Sequence, residues 1–143
     1  METINISQFF ADIRKVLRTY TDFQTDALDK FDLTPNEIAV LSSIGAFNSA
    51  SEIAACSNVS KALVSRSVKS LKAKGYLITN ISSVDKREQM LVLTEEGQKV
   101  ADCIFDVYKR FYSIAFNNFS NDEMTVLNAL LKLVLKNLSA GDI

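Results

Sequence analysis

The sequence predicts a mainly α-helical fold carrying one small β-hairpin, and three observations predict it. Only one proline and four glycines interrupt 143 residues. Apolar residues recur at three- and four-residue steps along most of the chain, the spacing of one buried helix face. The β-prone residues gather in two short runs, Tyr76–Ile81 and Gln89–Leu93, joined by the polar linker Ser82–Glu88.

In chain order, residues from about Ile4 to Lys30 read as one long helix. Phe9, Ile13, Val16, Leu17, Tyr20 and Phe23 form its apolar stripe, with Arg14, Lys15, Arg18 and Asp22 between them. The next helix begins at Leu33-Thr34-Pro35-Asn36-Glu37. Thr34 caps it, Pro35 sits at the first helical position, where its missing N–H costs nothing, and Glu37 completes a capping box. Ile38, Val40, Leu41 and Ile44 supply the apolar side, and Gly45 marks the end. A short helix follows from about Ser49 to Cys56, with Ser49 as cap and Glu52 at its third position. Cys56, at its end, is expected to be a packed small residue.

Ser57-Asn58 turns the chain into a helix capped by Ser60 and stopped by Gly75. Val64, Val68 and Leu71 share one face, with Leu63 beside them. Lys61, Ser65, Lys69 and Lys72 share the other, flanked by Arg66. Two short helices joined by a tight turn, the second basic on its outer face, make the helix-turn-helix pattern. The hairpin after Gly75 then reads as a wing with Asp85, Lys86 and Arg87 at its tip. Asp85 and Arg87 lie two apart, so on an extended strand they face the same way and can pair, either as an exposed pair worth little or as a carboxylate that fixes the guanidinium.

Thr94-Glu95-Glu96-Gly97 opens another helix, with the two acids favourable at its N-terminus. It carries Val100, Ile104, Val107, Phe111 and Ile114, and Cys103 is expected in its packed face. Ser120-Asn121-Asp122-Glu123 repeats the capping box and starts a last helix with Leu127, Leu130, Leu131, Val134, Leu135 and Leu138. These terminal helices are too apolar to face water on so small a chain. They are expected to form an intersubunit bundle.

The inventory excludes much chemistry. There is no histidine, and the two cysteines stand far apart with no CxxC spacing. That argues against a zinc or other metal site, and against Ser-His-Asp or Cys-His catalysis. No glycine-rich phosphate loop is present. The chain is expected to be no enzyme, to have no catalytic residue and to carry no cofactor. No apolar run reaches the ~20 residues that span a bilayer, and METINISQFFADIRK lacks the order of a signal peptide, so a cytoplasmic location is expected. The net charge of −1 hides an asymmetry. Between Val59 and Arg87 seven cations face Asp85 alone, a net of +6, which leaves −7 on the rest. That suits one focused basic patch on an acidic body.

Leu33-Thr34-Pro35, the run Ser65–Leu77, the tip Asp85-Lys86-Arg87 and the run Val92–Gly97 together resemble the multiple-antibiotic-resistance regulator (MarR-type) family, in order and spacing. The resemblance spans almost the whole chain. It implies a single domain: dimerisation helices at about 1–30 and 117–143, a winged helix-turn-helix at about 33–93, and a connecting helix at about 94–116. The function implied is that of a homodimeric, sequence-specific regulator of transcription on palindromic double-stranded DNA, a repressor released by a small ligand. Ser60, Lys61, Ser65, Arg66 and Lys69 then face the major groove. Arg87 enters the minor groove, held by Asp85 and flanked by Lys86. A small aromatic effector is implied between the arms and the winged helix, with Phe9, Phe10, Ile13 and Tyr20 as candidate contacts; the alternative for these four residues is simple dimer core. The absence of a cysteine in the first helix and of histidine speaks against the family's peroxide- and zinc-sensing branches. The alternative is a winged helix used only to bind another protein, which gives no reason to keep Lys61, Arg66, Lys69 and Arg87 on one side.

Overall fold

The computed structural model describes residues 3–57, 59–81 and 89–141. The elements follow the order α1 (Ile6–Leu28), a 3-10 turn (Asp29–Phe31), α2 (Pro35–Ser43), α3 (Ala50–Ser57), α4 (Lys61–Ala73), β1 (Leu77–Ile81), β2 (Gln89–Leu93), α5 (Glu95–Ala115) and α6 (Asn121–Ala140). The mainly helical class with a two-stranded hairpin is therefore observed. Contacts divide the chain into two compact units, one up to Phe111 and one from Tyr112.

Each helix start has a local cause. Asn5 caps α1, its Oδ1 accepting the Gln8 amide at 3.0 Å. At α2 the Thr34 hydroxyl accepts the Glu37 amide and the Glu37 carboxylate accepts the Thr34 amide, both at 3.2 Å, the reciprocal pair that a capping box requires. Ser120 and Glu123 repeat it at α6. In the first unit the core is built from Val40, Leu41, Ile53, Val64, Leu71 and Ile104, all fully buried, with Leu77 and Leu91 closing it from the hairpin. Burying each such side chain contributes roughly 1.5–3 kcal/mol.

The hairpin is antiparallel in the register Leu77↔Leu93, Thr79↔Leu91, Ile81↔Gln89. Leu77 and Leu91 face the core while Ile78 and Val92 face out, the alternation of a half-buried sheet. β2 also has a neighbour on its other side, which the sequence reading lacked. Ser49 bridges Met90, and the Leu91 amide donates to the Asn48 carbonyl at 2.8 Å.

In the second unit no residue of α6 is buried. Leu130, Leu131, Val134, Leu135 and Leu138 are each about half exposed. Among the described residues no helix is long and apolar enough to cross a membrane.

One expectation fails here. Cys56 is exposed, not packed. α3 turns Ile53 into the core, and Cys56 lies three residues on, at the helix end, where no neighbouring element covers it. Cys103 is half-buried against the core, as expected.

Candidate nucleic-acid interface

The site is built on α4. The Ser60 hydroxyl accepts the Leu63 amide at 3.2 Å, which caps the helix and leaves the hydroxyl proton free to donate outward. Val64, Ser67, Val68 and Leu71 turn inward. Lys61, Ser65, Arg66 and Lys69 turn outward and are exposed. Thus the structure brings all five α4 candidates to one open face. Asp85, Lys86 and Arg87 lie outside the described residues.

The helix ends where the sequence places its stop. The Tyr76 amide donates to the Leu71 carbonyl and the Gly75 amide to the Lys72 carbonyl, each at 3.0 Å, with Gly75 at φ +80°. Such a left-handed closing residue favours glycine. The chain then passes straight into β1, so the exposed face of α4 and the base of the wing are set by one turn.

The cations of this region divide into two groups. Lys72 Nζ donates to the Thr79 hydroxyl of β1 at 3.0 Å. Lys74 Nζ lies 3.0 Å from the Glu37 carboxylate and 2.6 Å from the Asp32 carbonyl. By contrast, no ion pair or hydrogen bond to the side chain of Lys61, Arg66 or Lys69 is formed among the described residues. Lys74 is thus paired with a buried acid, while Lys61, Arg66 and Lys69 stand on the outer face of α4 without such a partner among the described residues.

Glu37 is the residue that sequence reasoning placed only as a cap. It is 4% exposed, and its second oxygen also accepts the Ser70 hydroxyl at 3.2 Å. Burial by itself would push its carboxyl up. Hydrogen bonds from the Lys74 ammonium and from Thr34 outweigh that and hold the group below its ordinary value of 4.5. No local signal foretells this, because Ser70 and Lys74 lie far along the chain.

The proposed effector contacts separate. Phe9 and Phe10 pack edge to face at 5.5 Å and, with Ile13, are exposed. Tyr20 stands about 15 Å further along α1 by helix rise. Its ring meets Phe111 at 5.2 Å and Tyr108 at 6.2 Å, and its hydroxyl donates to Gln24 at 2.8 Å. Burial, and then the Tyr108 hydroxyl, push its phenol well above the ordinary range, so it stays neutral. Phe9, Phe10 and Ile13 thus stand apart from the aromatic neighbourhood of Tyr20. A cleft of about 220 Å³ lies instead between α2 and α5, lined by Ser42, Ile44, Gln98, Asp102, Phe105 and Tyr108 among others. The Tyr108 hydroxyl spans it to Ser42 at 3.3 Å.

A capped helix pair, a glycine-stopped basic second helix and a hairpin behind it define a winged helix-turn-helix protein with long flanking helices. Comparison with known proteins agrees. Residues 31–88 match the MarR family model. The HTH-type transcriptional regulator YwaE of Bacillus subtilis (strain 168), itself uncharacterised, is 22% identical over 127 residues, 87% of this chain and 74% of its own. A MarR-family regulator from Listeria monocytogenes, solved in complex with a 26mer DNA, superposes with a TM-score of 0.79 at 20% identity, covering 96% of this chain and 90% of that one. A mutant of E. coli MarR complexed with operator DNA gives 0.73 at 23%, covering 91% and 95%. Over residues 31–88 the chain is thus similar in sequence to the MarR family, and as a whole it has the fold of the solved MarR-family regulators.

Proposed function

We propose that this protein is a cytoplasmic, homodimeric repressor that binds a palindromic operator sequence-specifically and is released by a small ligand. The observation that carries the reading is the α4 face, where Lys61, Arg66 and Lys69 stand exposed with no side-chain partner among the described residues, while Lys72 and Lys74 are tied to Thr79 and Glu37. Lys61 and Lys69 suit phosphates, with Ser60 and Ser65 donating hydroxyl protons beside them. Arg66 has the planar fork that reads guanine O6 and N7 together. Arg87, held by Asp85 and flanked by Lys86, serves the minor groove. The helices at about 1–30 and 117–143 join two copies, so that two α4 helices meet half-sites roughly 10 bp apart. The apolar face of α6, unburied within its own chain, supports that assembly. The cleft between α2 and α5, with the aromatic neighbourhood of Tyr20, is the place for an aromatic effector.

The test is fluorescence anisotropy on the duplex upstream of the protein's own gene and on a random duplex, across a salt series. Wild type should prefer its own duplex and weaken steeply with salt. Arg66→Ala should relax that preference, and Lys69→Ala should reduce the salt slope by about 1. Equal binding to both duplexes by all three proteins would overturn the assignment of α4.

A further inference from the structure

We propose that Glu37 is a positioning residue for α4: its buried carboxylate ties the C-terminal turn of that helix to the N-terminus of α2 and so sets the angle at which Arg66 is presented. The inference rests on the DNA-binding reading above and adds a residue that lies outside the proposed DNA-contacting face. Three observations carry it. Glu37 joins two elements with one side chain, accepting the Thr34 amide at its own helix start and both Ser70 and Lys74 of the α4 end. Lys74 extends the tie to the Asp32 carbonyl in the left-handed turn before α2. And the carboxylate is almost wholly shielded from water, so the tie has fixed geometry instead of the loose pairing of a surface salt bridge.

The lever explains why this matters. Arg66 stands eight residues from Lys74, about 12 Å by helix rise, so a tilt of about 5° at the tied end moves it by roughly 1 Å. A bidentate contact with a base edge tolerates about half of that. Phosphate contacts made by long lysines tolerate it easily. Loosening the tie should therefore cost sequence preference and leave general DNA affinity intact.

The experiment compares wild type with Glu37→Gln, Ser70→Ala and Lys74→Arg. Each is measured on the protein's own upstream duplex and on a random duplex of equal length, well below its melting midpoint. Glu37→Gln keeps the size and the Thr34 acceptor but loses the charge. Ser70→Ala removes one hydroxyl and folds even if Glu37→Gln does not. We expect the ratio of the two affinities to fall about tenfold in both, the scale of one bidentate base contact, with random-duplex affinity unchanged within about twofold. Lys74→Arg, which keeps the ion pair, should retain the wild-type ratio. An unchanged ratio in folded Glu37→Gln and Ser70→Ala would overturn the proposal, leaving Glu37 a stabilising residue only. So would a parallel loss on both duplexes. If wild type shows no preference, the DNA-binding reading fails and this one with it; the Arg66→Ala series separates that outcome from failure of the tie alone.

Discussion

Replacing Gly97 by alanine sets two effects against each other with opposite signs. Gly97 lies in the first turn of α5, and alanine at a helical position is favoured over glycine by up to about 1 kcal/mol. If propensity were the whole account, the variant would be more stable. The packing says otherwise. A Cβ at Gly97 would stand 1.8 Å from the Tyr76 carbonyl oxygen and 2.7 Å from its carbon, where ordinary contact begins at 3.4 Å. Both atoms are backbone and cannot swing away. The first turn of α5 must back off, and two hydrogen bonds go with it: the Thr94 amide to the Tyr76 carbonyl at 3.1 Å, and the Thr94 hydroxyl to the Gly75 carbonyl at 2.6 Å. Losing them costs about 1 kcal/mol each, and forced overpacking adds about 1–3 kcal/mol. After the propensity gain is set against these, Gly97→Ala should destabilise by about 2–4 kcal/mol. Urea unfolding followed by circular dichroism at fixed protomer concentration measures it, since the midpoint of the proposed dimer would move with concentration. An unchanged or raised stability would refute the claim that this glycine is required by close approach.

Three further outcomes follow from the structure. The Glu37 carboxyl is held below its ordinary value of 4.5, so its contribution to stability is present above that value and lost as pH falls through the lower folded-state value; Glu37→Gln should flatten the acid limb of the unfolding curve below about pH 4.5. Ellman's reagent on the native protein should modify one thiol rapidly, Cys56, with Cys103 reacting only slowly; Cys56→Ser should abolish the fast phase, and two equal rates would contradict the burial difference. Leu130→Asp combined with Val134→Asp, one turn apart on the exposed face of α6, should convert a dimer to a monomer in sedimentation equilibrium; a dimer that survives both would remove α6 from the interface.

What was legible in the sequence was local. Capping boxes at Thr34 and Ser120 are four-residue grammars whose partners sit within one turn, and both form as read. Gly75 was legible as a stop because a glycine after an apolar-periodic run has few other uses. Val64, Val68 and Leu71 on the inward face of α4 followed from periodicity, but Leu63, read beside them, is exposed, and Ser67 takes a buried place that its polarity did not announce. What escaped was set by tertiary approach. Glu37 satisfies its local pattern completely, and nothing near it announces that Ser70 and Lys74 converge on the same carboxylate. Gly97 resembles a poor helix former until Tyr76 is seen against it. Cys56 was read as packed from its average habit, whereas the end of α3 leaves it uncovered. Of the candidate site, the α4 residues were identifiable from spacing and charge. The separation of Phe9, Phe10 and Ile13 from Tyr20 needed the rise of α1 and the position of Tyr108.

The bridge between Ser49 and Met90 has a consequence for cooperativity. It fastens the start of α3 to β2 and so closes a loop containing α3, α4 and β1. Chain closed in this way has already lost much of its configurational entropy, and opening the fastening returns it. The helix that faces outward with its cations and the strand behind it are therefore one unit in local unfolding, and neither can fray far without releasing the other. Backbone amides buried in α4 and β2 should then exchange with deuterium through a shared opening event, with the same dependence on denaturant, even though β1 and residues 82–88 separate the two elements along the chain.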